Sequence, residues 1–418
     1  MGLRVTTWNL EWFGKLLQGR GRSLSGKPAD SGAERALQQL QKEKIAEEIR
    51  AIDPDILCIQ EGPSSGAVAD LIGFCQDYLL SRWTVITRPQ GEPYHVRGSQ
   101  GIWFLVKTAR LNALSPVLLP VSRWREATAL EAQAAGVPEG EYGKTWRIVH
   151  PWFKPDGKVP DLEVGDDNEG DPPPAAGLTE RDHYHWRHPQ TLVCTIGGLR
   201  VDFIGVHLKS KFAGAPGDYE KAGSILRSWR PRKDWSEEEI DLIEAVERAG
   251  TEARIKLTTE ITDLRYYIES RFRNQPDPAV FVLGDLNDGI GQEYFERRYL
   301  FHDLISNLQG DVFFARRFLN HALFDYGTDS LENHRWTVSF SDAWDPGKPA
   351  EILLDHILFT QAVTGADALD RAPVRVPPRA GRVEHAIHEA ANVVFDRVAD
   401  QTSDHRPVTV DLETRRAV

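Results

Sequence analysis

One pattern recurs along the chain and restricts what it can fold into: a short apolar run that stops on an acid, an amide or a histidine. Residues 281–288, Phe-Val-Leu-Gly-Asp285-Leu-Asn287-Asp288, are its clearest instance. Three apolar residues and a glycine read as a buried strand, with an acid and an amide at its end. Open α/β proteins place reactive side chains at this carboxyl edge of their strands. Asn9 follows the strand predicted over Leu3–Thr7, and Ile56-Leu-Cys-Ile-Gln-Glu61 is a second apolar run that stops on a carboxylate. Val201-Asp-Phe-Ile-Gly-Val-His207 ends in a histidine and continues as Leu-Lys209-Ser. Ile352-Leu-Leu-Asp355-His356 and Thr402-Ser-Asp404-His405-Arg-Pro complete the set. Singly, each has a plain explanation. An Asn after a strand is ordinarily a turn residue, a buried His is ordinarily a satisfied core group, and Asp285-Leu-Asn287-Asp288 could cap a helix near Gln292–Arg298. Jointly, they supply the amides, carboxylates and histidines that a hard divalent cation with general acid/base histidines requires.

Between these strand ends the periodicity predicts helices over Glu34–Ile52, Val68–Leu80 and Ser236–Arg271. Further strands are expected at Trp83–Thr87, Gly101–Lys107, Val280–Leu283, Trp336–Phe340, Ile352–Phe359 and Val408–Leu412, with a hairpin of Thr191–Ile196 and Arg200–Val206 turning at Gly197-Gly198. Short strands between helical segments imply two packed sheets flanked by helices. Two regions exceed that plan. Residues 110–186 hold an Ala/Glu-rich piece, Glu126–Ala135, and then a Pro-, Asp- and Gly-rich acidic stretch, Lys154–Leu178, expected to be a loop. Residues 214–239 interleave Arg227, Arg230, Arg232 and Lys233 with Trp229 and Trp235. That is the composition either of a nucleic-acid arm or of a connector whose tryptophans pack on the body.

The ordered motifs, from Trp8-Asn9 through Gln60-Glu61 and Gly-Asp285-Leu-Asn287 to Ser403-Asp404-His405, resemble the endonuclease/exonuclease/phosphatase superfamily of metal-dependent phosphoesterases. The resemblance covers nearly the whole chain. It implies an α/β fold of the deoxyribonuclease I kind: a four-layer sandwich of two packed, mostly antiparallel β-sheets flanked by helices, as a single domain over 1–418 with insertions at about 110–186 and 214–239. It also implies Mg²⁺ as cofactor, with Mn²⁺ able to substitute, held by Glu61, Asn9 and Asp404. Asp285 and Asn287 match the pair that orients the attacking water and contacts the phosphate. His405 matches a general base supported by Asp355, and His207 a phosphate-stabilising or general-acid histidine. Arg187 and Lys209 are the expected phosphate contacts. Gln100 stands where the deoxyribonuclease branch has a carboxylate supporting the equivalent of His207. His356, one residue past Asp355, should point to the opposite face and be structural.

Composition bears on the substrate. Acidic residues outnumber basic ones, 62 to 50, over 418 residues, for a net charge of −12. A basic polyanion binder is excluded, so a nucleic-acid site would have to be a local patch. The first expectation is a phosphodiesterase acting on nucleic acid, DNA in particular, as endonuclease or exonuclease. The alternative is a phosphatase or phosphodiesterase of a small molecule or lipid headgroup. A catalytically dead binding module would be expected to lack Glu61, Asp285, Asn287 or His405, and all are present. Three cysteines in apolar runs, Cys58, Cys75 and Cys194, suggest core residues rather than a disulfide framework. With a strand beginning at Leu3 and no long apolar stretch, no secretory signal or membrane span is expected, and a cytoplasmic location follows.

Overall fold

The computed structural model describes residues 2–23, 26–96, 100–135, 146–150, 179–183, 185–211, 216–228, 230–289, 304–328, 334–342, 344, 347 and 349–415. The Lys154–Leu178 stretch, Trp229 and the helix considered near Gln292–Arg298 lie outside these residues.

In chain order the strands begin with β1 (Gly2–Asn9), β2 (Ile56–Gly62), β3 (Trp83–Val85), β4 (Gly101–Lys107), β5 (Val117–Leu118) and β6 (Trp146–His150). Next come β7 (Thr179–His183), β8 (Gln190–Ile196), β9 (Leu199–His207), β10 (Ala279–Asp285), β11 (Leu319–His321) and β12 (Val338–Ser339). The last are β13 (Glu351–Ile352), β14 (Asp355–Thr360), β15 (Val374–Arg375), β16 (Gly381–Val383) and β17 (Val408–Thr414). One large sheet runs β15-β17-β1-β2-β4-β3, with β16 also on β17; the other runs β11-β14-β10-β9-β8-β5. Both are mixed rather than wholly antiparallel, because β1 and β2 pair in parallel, as do β9 and β10.

Strand alternation explains how the sheets stack, since successive side chains leave a strand on opposite faces. Ile56 and Cys58 of β2 and Phe104 of β4 point inward. There they join Leu192, Phe203, Phe281, Leu283 and Phe359 of the other sheet in the central core. Leu57 and Ile59 point outward against Ile45 and Ile49 of the helix Gly32–Ile52 and Phe74 of the helix Val68–Asp77. Ile204, Val206, Val280 and Val282 face outward on the second sheet, under Leu257, Ile261, Leu264 and Ile268 of the helix Glu237–Asn274. Helix, sheet, sheet, helix is the four-layer sandwich expected.

Ser31 and Ser236 each accept from the backbone N–H three residues on, and Glu34 and Glu239 reach back, so both long helices open with a capping box. The Ala/Glu-rich piece of the 110–186 region falls in a helix, Val121–Ala134. That helix buries Trp124, whose ring stacks on Tyr267 at 4.0 Å. Gly284 holds φ of +144°, and a Cβ there would stand 2.0 Å from the Val206 carbonyl oxygen. Only glycine fits immediately before Asp285.

Candidate active site

Topology explains why the flagged residues meet. Because β1 and β2 are parallel, with Asn9 opposite Gln60, Asn9 and Glu61 arrive at the same edge of the first sheet. β17 is antiparallel to β1, so the turn before it, Ser403-Asp404-His405, returns to that edge. In the second sheet Asp285 lies opposite His207 on the parallel strand β9 and opposite Asp355 on the antiparallel strand β14. The two edges adjoin: the Asn9 Nδ2 donates to Asp285 Oδ2 across the sheets at 3.0 Å.

Asp285 Oδ2 is the hub. Besides Asn9 it accepts from Asn287 Nδ2 at 3.2 Å, and His207 Nε2 stands 3.5 Å away. Asp285 Oδ1 accepts the Asn287 backbone N–H at 2.8 Å, while Asn287 Nδ2 also donates to the Leu208 carbonyl at 3.0 Å. On the facing side His405 Nδ1 lies 2.7 Å from Asp355 Oδ2, which leaves Nε2 3.8 Å from Asp404 Oδ1. His207 Nε2 is also 3.8 Å from Glu61 Oε1, and the Trp12 backbone N–H donates to Glu61 Oε2 at 2.7 Å. Asp404 is the exposed member, its side chain 48% accessible. Backbone strain gathers here: Glu11, Trp12, Glu61 and Asn287 all have positive φ (29°, 53°, 59° and 51°). Such conformations cost of order 1–3 kcal/mol each and persist where the surroundings enforce them.

The electrostatics are those of a cleft crowded with acid. Burial pushes Asp285 up to about 7; His405 pulls it back, Asp355 adds to the rise, and the Asn287 and Asn9 N–H groups oppose it. Glu11 is also pushed up to about 7 by burial and then by the charge of Asp404, with Glu61 acting the same way against Arg22. Burial disfavours charge on His405, yet Asp355, Asp404 and Asp285 together hold its pKa well above the ordinary value. His207 goes the other way: burial, then the positive charges of Arg187 and His405, keep it well below. The two imidazoles are thus biased in opposite directions, His405 toward its protonated form and His207 toward its neutral one.

Several positions differ from expectation. Gln100 does not support His207; its Oε1 accepts from Arg187 Nη1 at 2.6 Å, and His207 Nδ1 is buried with no hydrogen-bond partner among the described residues. Arg187 spends three of its five N–H donors on Gln100 Oε1 and on the carbonyls of His207 (2.8 Å) and Leu208, pinning the end of β9. The Lys209 ammonium donates to the Ser210 carbonyl at 2.6 Å, and Lys211 pairs with Asp288 at 2.5 Å. The other oxygen of Asp288 accepts from the N–H of Leu304, which opens the helix Leu304–Gln309. His356 faces away, as the alternation requires, with Nε2 2.8 Å from the Asp288 carbonyl and Nδ1 2.9 Å from His321 Nε2.

Sequence reasoning missed three contributors. Glu11 joins the acidic cleft, its carboxylate paired with Arg22 at 2.7 Å. Ser403 ties the two motifs of the first sheet, donating to the Asn9 carbonyl at 2.6 Å and accepting the His405 N–H at 3.0 Å. Trp8 Nε1 donates to the His405 carbonyl at 2.9 Å. Trp8 and Ser403 stand inside the motifs already singled out, while Glu11 lies two residues past Asn9, outside them.

The donor set suits a hard cation. Glu61, Asp404 and the Asn9 side-chain carbonyl are all oxygen donors, the kind a hard cation prefers. Among the described residues no three His, Cys, Asp or Glu side chains enclose a metal by themselves. An ion here would need amide or water oxygens as well, which is the habit of Mg²⁺.

No family model matches the chain, and no curated protein matches it by sequence. Solved structures do. A truncated TDP2 from Caenorhabditis elegans aligns over 99% of this chain and 97% of its own at 14% identity, with a TM-score of 0.43. The catalytic domain of human Nocturnin aligns over 99% and 94% at 15% identity and 0.40. An endonuclease/exonuclease/phosphatase family protein from Bacteroides thetaiotaomicron aligns over 99% and 97% at 13% identity and 0.38. The family that the motifs resemble is also the family of the third structure. At such identities and scores the likeness assigns no function to this chain.

Proposed function

We propose that the chain is a metal-dependent phosphodiesterase, with nucleic acid, DNA in particular, as its substrate. One observation carries the reading: the Asp355–His405 pair and the Asp285–Asn287–His207 group meet at one strand edge, with Glu61 3.8 Å from His207 and Asp404 3.8 Å from His405. Hydrolysis of a phosphodiester requires an activated water, neutralised non-bridging oxygens and a proton or metal at the leaving oxygen. Asp355 holds the Nδ1 side of His405 and leaves Nε2 for the cleft, so in its neutral form that nitrogen can take a proton from water. Asp285, with a pKa near neutrality, and Asn287 orient that water and the phosphate. His207, neutral at physiological pH, offers Nε2–H as a hydrogen-bond donor to a phosphate oxygen. Glu61, Asp404 and Asn9 would hold Mg²⁺ or Mn²⁺, which supplies charge neutralisation and a more acidic bound water.

A smaller phosphodiester is the second reading, and a specific observation favours it. Cations near the site and in the arm are partly spent inside the chain: Arg230 pairs with Glu239, Arg232 with Glu244 and Lys211 with Asp288. The two readings separate by salt. Binding of a polymer across many phosphates weakens steeply with salt through counterion release, whereas a small ester shows a shallow slope. We therefore expect, with Mg²⁺ present, cleavage of plasmid, linear or single-stranded DNA whose KM rises steeply between low and physiological salt. Turnover of a chromogenic diester alone, with a flat salt response, would move the assignment to the small substrate. Inertness toward DNA, RNA and small diesters with either metal would remove both.

A further inference from the structure

We propose that Glu48, with His388, Asn392 and Thr402, forms a buried positioning device that fixes the turn carrying Asp404 and His405. The inference rests on the reading above, in which those two residues work in the cleft. Glu48 lies on the helix Gly32–Ile52, in the outer layer, and is fully buried. Its carboxylate faces three donors: His388 Nδ1 at 3.0 Å, Asn392 Nδ2 at 3.2 Å and the Thr402 hydroxyl. Asn392 grips Thr402 from both sides, accepting its backbone N–H at 2.7 Å and donating to its Oγ1 at 2.8 Å. Two routes lead from this group to His405. Along the chain, Thr402 opens the turn, and Ser403 then bonds both the Asn9 carbonyl and the His405 N–H. Through space, the His388 ring stands edge-on to Trp8 with centroids 6.3 Å apart, and Trp8 Nε1 donates to the His405 carbonyl. Both ends of the turn are therefore held from one buried carboxylate.

A buried carboxylate is a costly way to fill space, and apolar side chains of equal volume would serve stability as well. What they cannot supply is direction. His405 belongs to one sheet and must meet Asp355 of the other at 2.7 Å. An error of about 1 Å in such a placement can cost on the order of a hundredfold in rate.

The test is the full-length chain with Thr402→Val, which keeps the shape and removes the hydroxyl, and with Thr402→Ser, which restores it. Two quantities are read. One is the NMR resonance of the His405 Nδ1–H in the hydrogen bond to Asp355, assigned by its loss in His405→Asn. The other is kcat against KM on a phosphodiester. Thr402→Val should shift or broaden the resonance and lower kcat by roughly tenfold or more with little change in KM, and Thr402→Ser should recover both. A Thr402→Val protein of lower melting temperature with resonance and kcat intact would reduce the group to ordinary core and overturn the proposal. Should Thr402→Val fail to fold, His388→Gln disturbs Glu48 from the helix side while leaving the turn's own atoms in place, and the same criteria apply. A resonance that responds in a protein inert toward every phosphoester supports the positioning and overturns the phosphodiesterase reading instead.

Discussion

Asp285 and Glu11 are two acids with pKa values near 7 in one cleft, and this has a consequence for stability. Each is raised above its ordinary carboxylate value, so the folded state binds a proton that the unfolded chain releases. That stabilisation is complete below the ordinary value and is lost as pH rises through about 7. The metal-free protein should therefore melt at a falling temperature from pH 5 to 8, and Glu11→Gln should flatten the fall. An unchanged slope in that variant would remove Glu11 from the cleft. His405 should behave as the working base: His405→Ala and Asp285→Asn should each lower turnover by at least about 10²-fold without unfolding the protein. Asp355→Asn should lose less, because it acts through His405; a larger loss than for His405→Ala at equal stability would reassign the roles. These residues were legible because each ends an apolar run in a motif. Glu11 and the true partner of Gln100 were not, because a side-chain hydrogen bond between distant segments leaves no periodic trace.

Strand ends were the best-read elements. β2, β9 and β10 each extend to the flagged residue or past it, since an apolar run and its polar stop are local signals. The strand expected over Ile352–Phe359 divides instead into β13 and β14, interrupted at Leu353 and Leu354, both buried. Hydropathy cannot detect that break, because what imposes it is Thr337 Oγ1 accepting the N–H groups of both Leu354 and Asp355. The arm at 214–239 was read two ways, and its described part favours the connector. Trp235 packs beside Ile243, Val246 and Trp344, and two of the arm's arginines meet glutamates of the long helix. Neutralising Arg227, Arg230, Arg232 and Lys233 together should then change the salt dependence of DNA cleavage only slightly; a flattened slope would restore the arm to the substrate. Gly284 is the element-scale constraint on catalysis. Gly284→Ala should destabilise the fold by about 2 kcal/mol or more, from positive φ and the clash with Val206, as a lowered urea midpoint.

At the scale of the whole molecule, the sandwich uses its two sheets as separate carriers. The first brings Asn9, Glu61, Asp404 and His405 to the shared edge, and the second brings His207, Asp285, Asn287 and Asp355. The order of motifs along the chain made that convergence readable, whereas the helix Val121–Ala134 was not, because it is settled by packing against a distant segment. Net acidity fits this arrangement, since part of the excess negative charge lies in the cleft itself. Among the described residues no helix is long and apolar enough to cross a membrane. The central claim is that the acidic edge acts as a divalent-cation site for phosphodiester hydrolysis. Its most direct test is the Mg²⁺ dependence of diester turnover by the parent and by Glu61→Gln. Activity should vanish in EDTA and return with Mg²⁺ or Mn²⁺, and Glu61→Gln should need a higher Mg²⁺ concentration for half-maximal rate because a carboxylate charge is lost from a hard-cation site. Turnover that persists in EDTA, or a Glu61→Gln protein fully active at limiting Mg²⁺, would contradict the account.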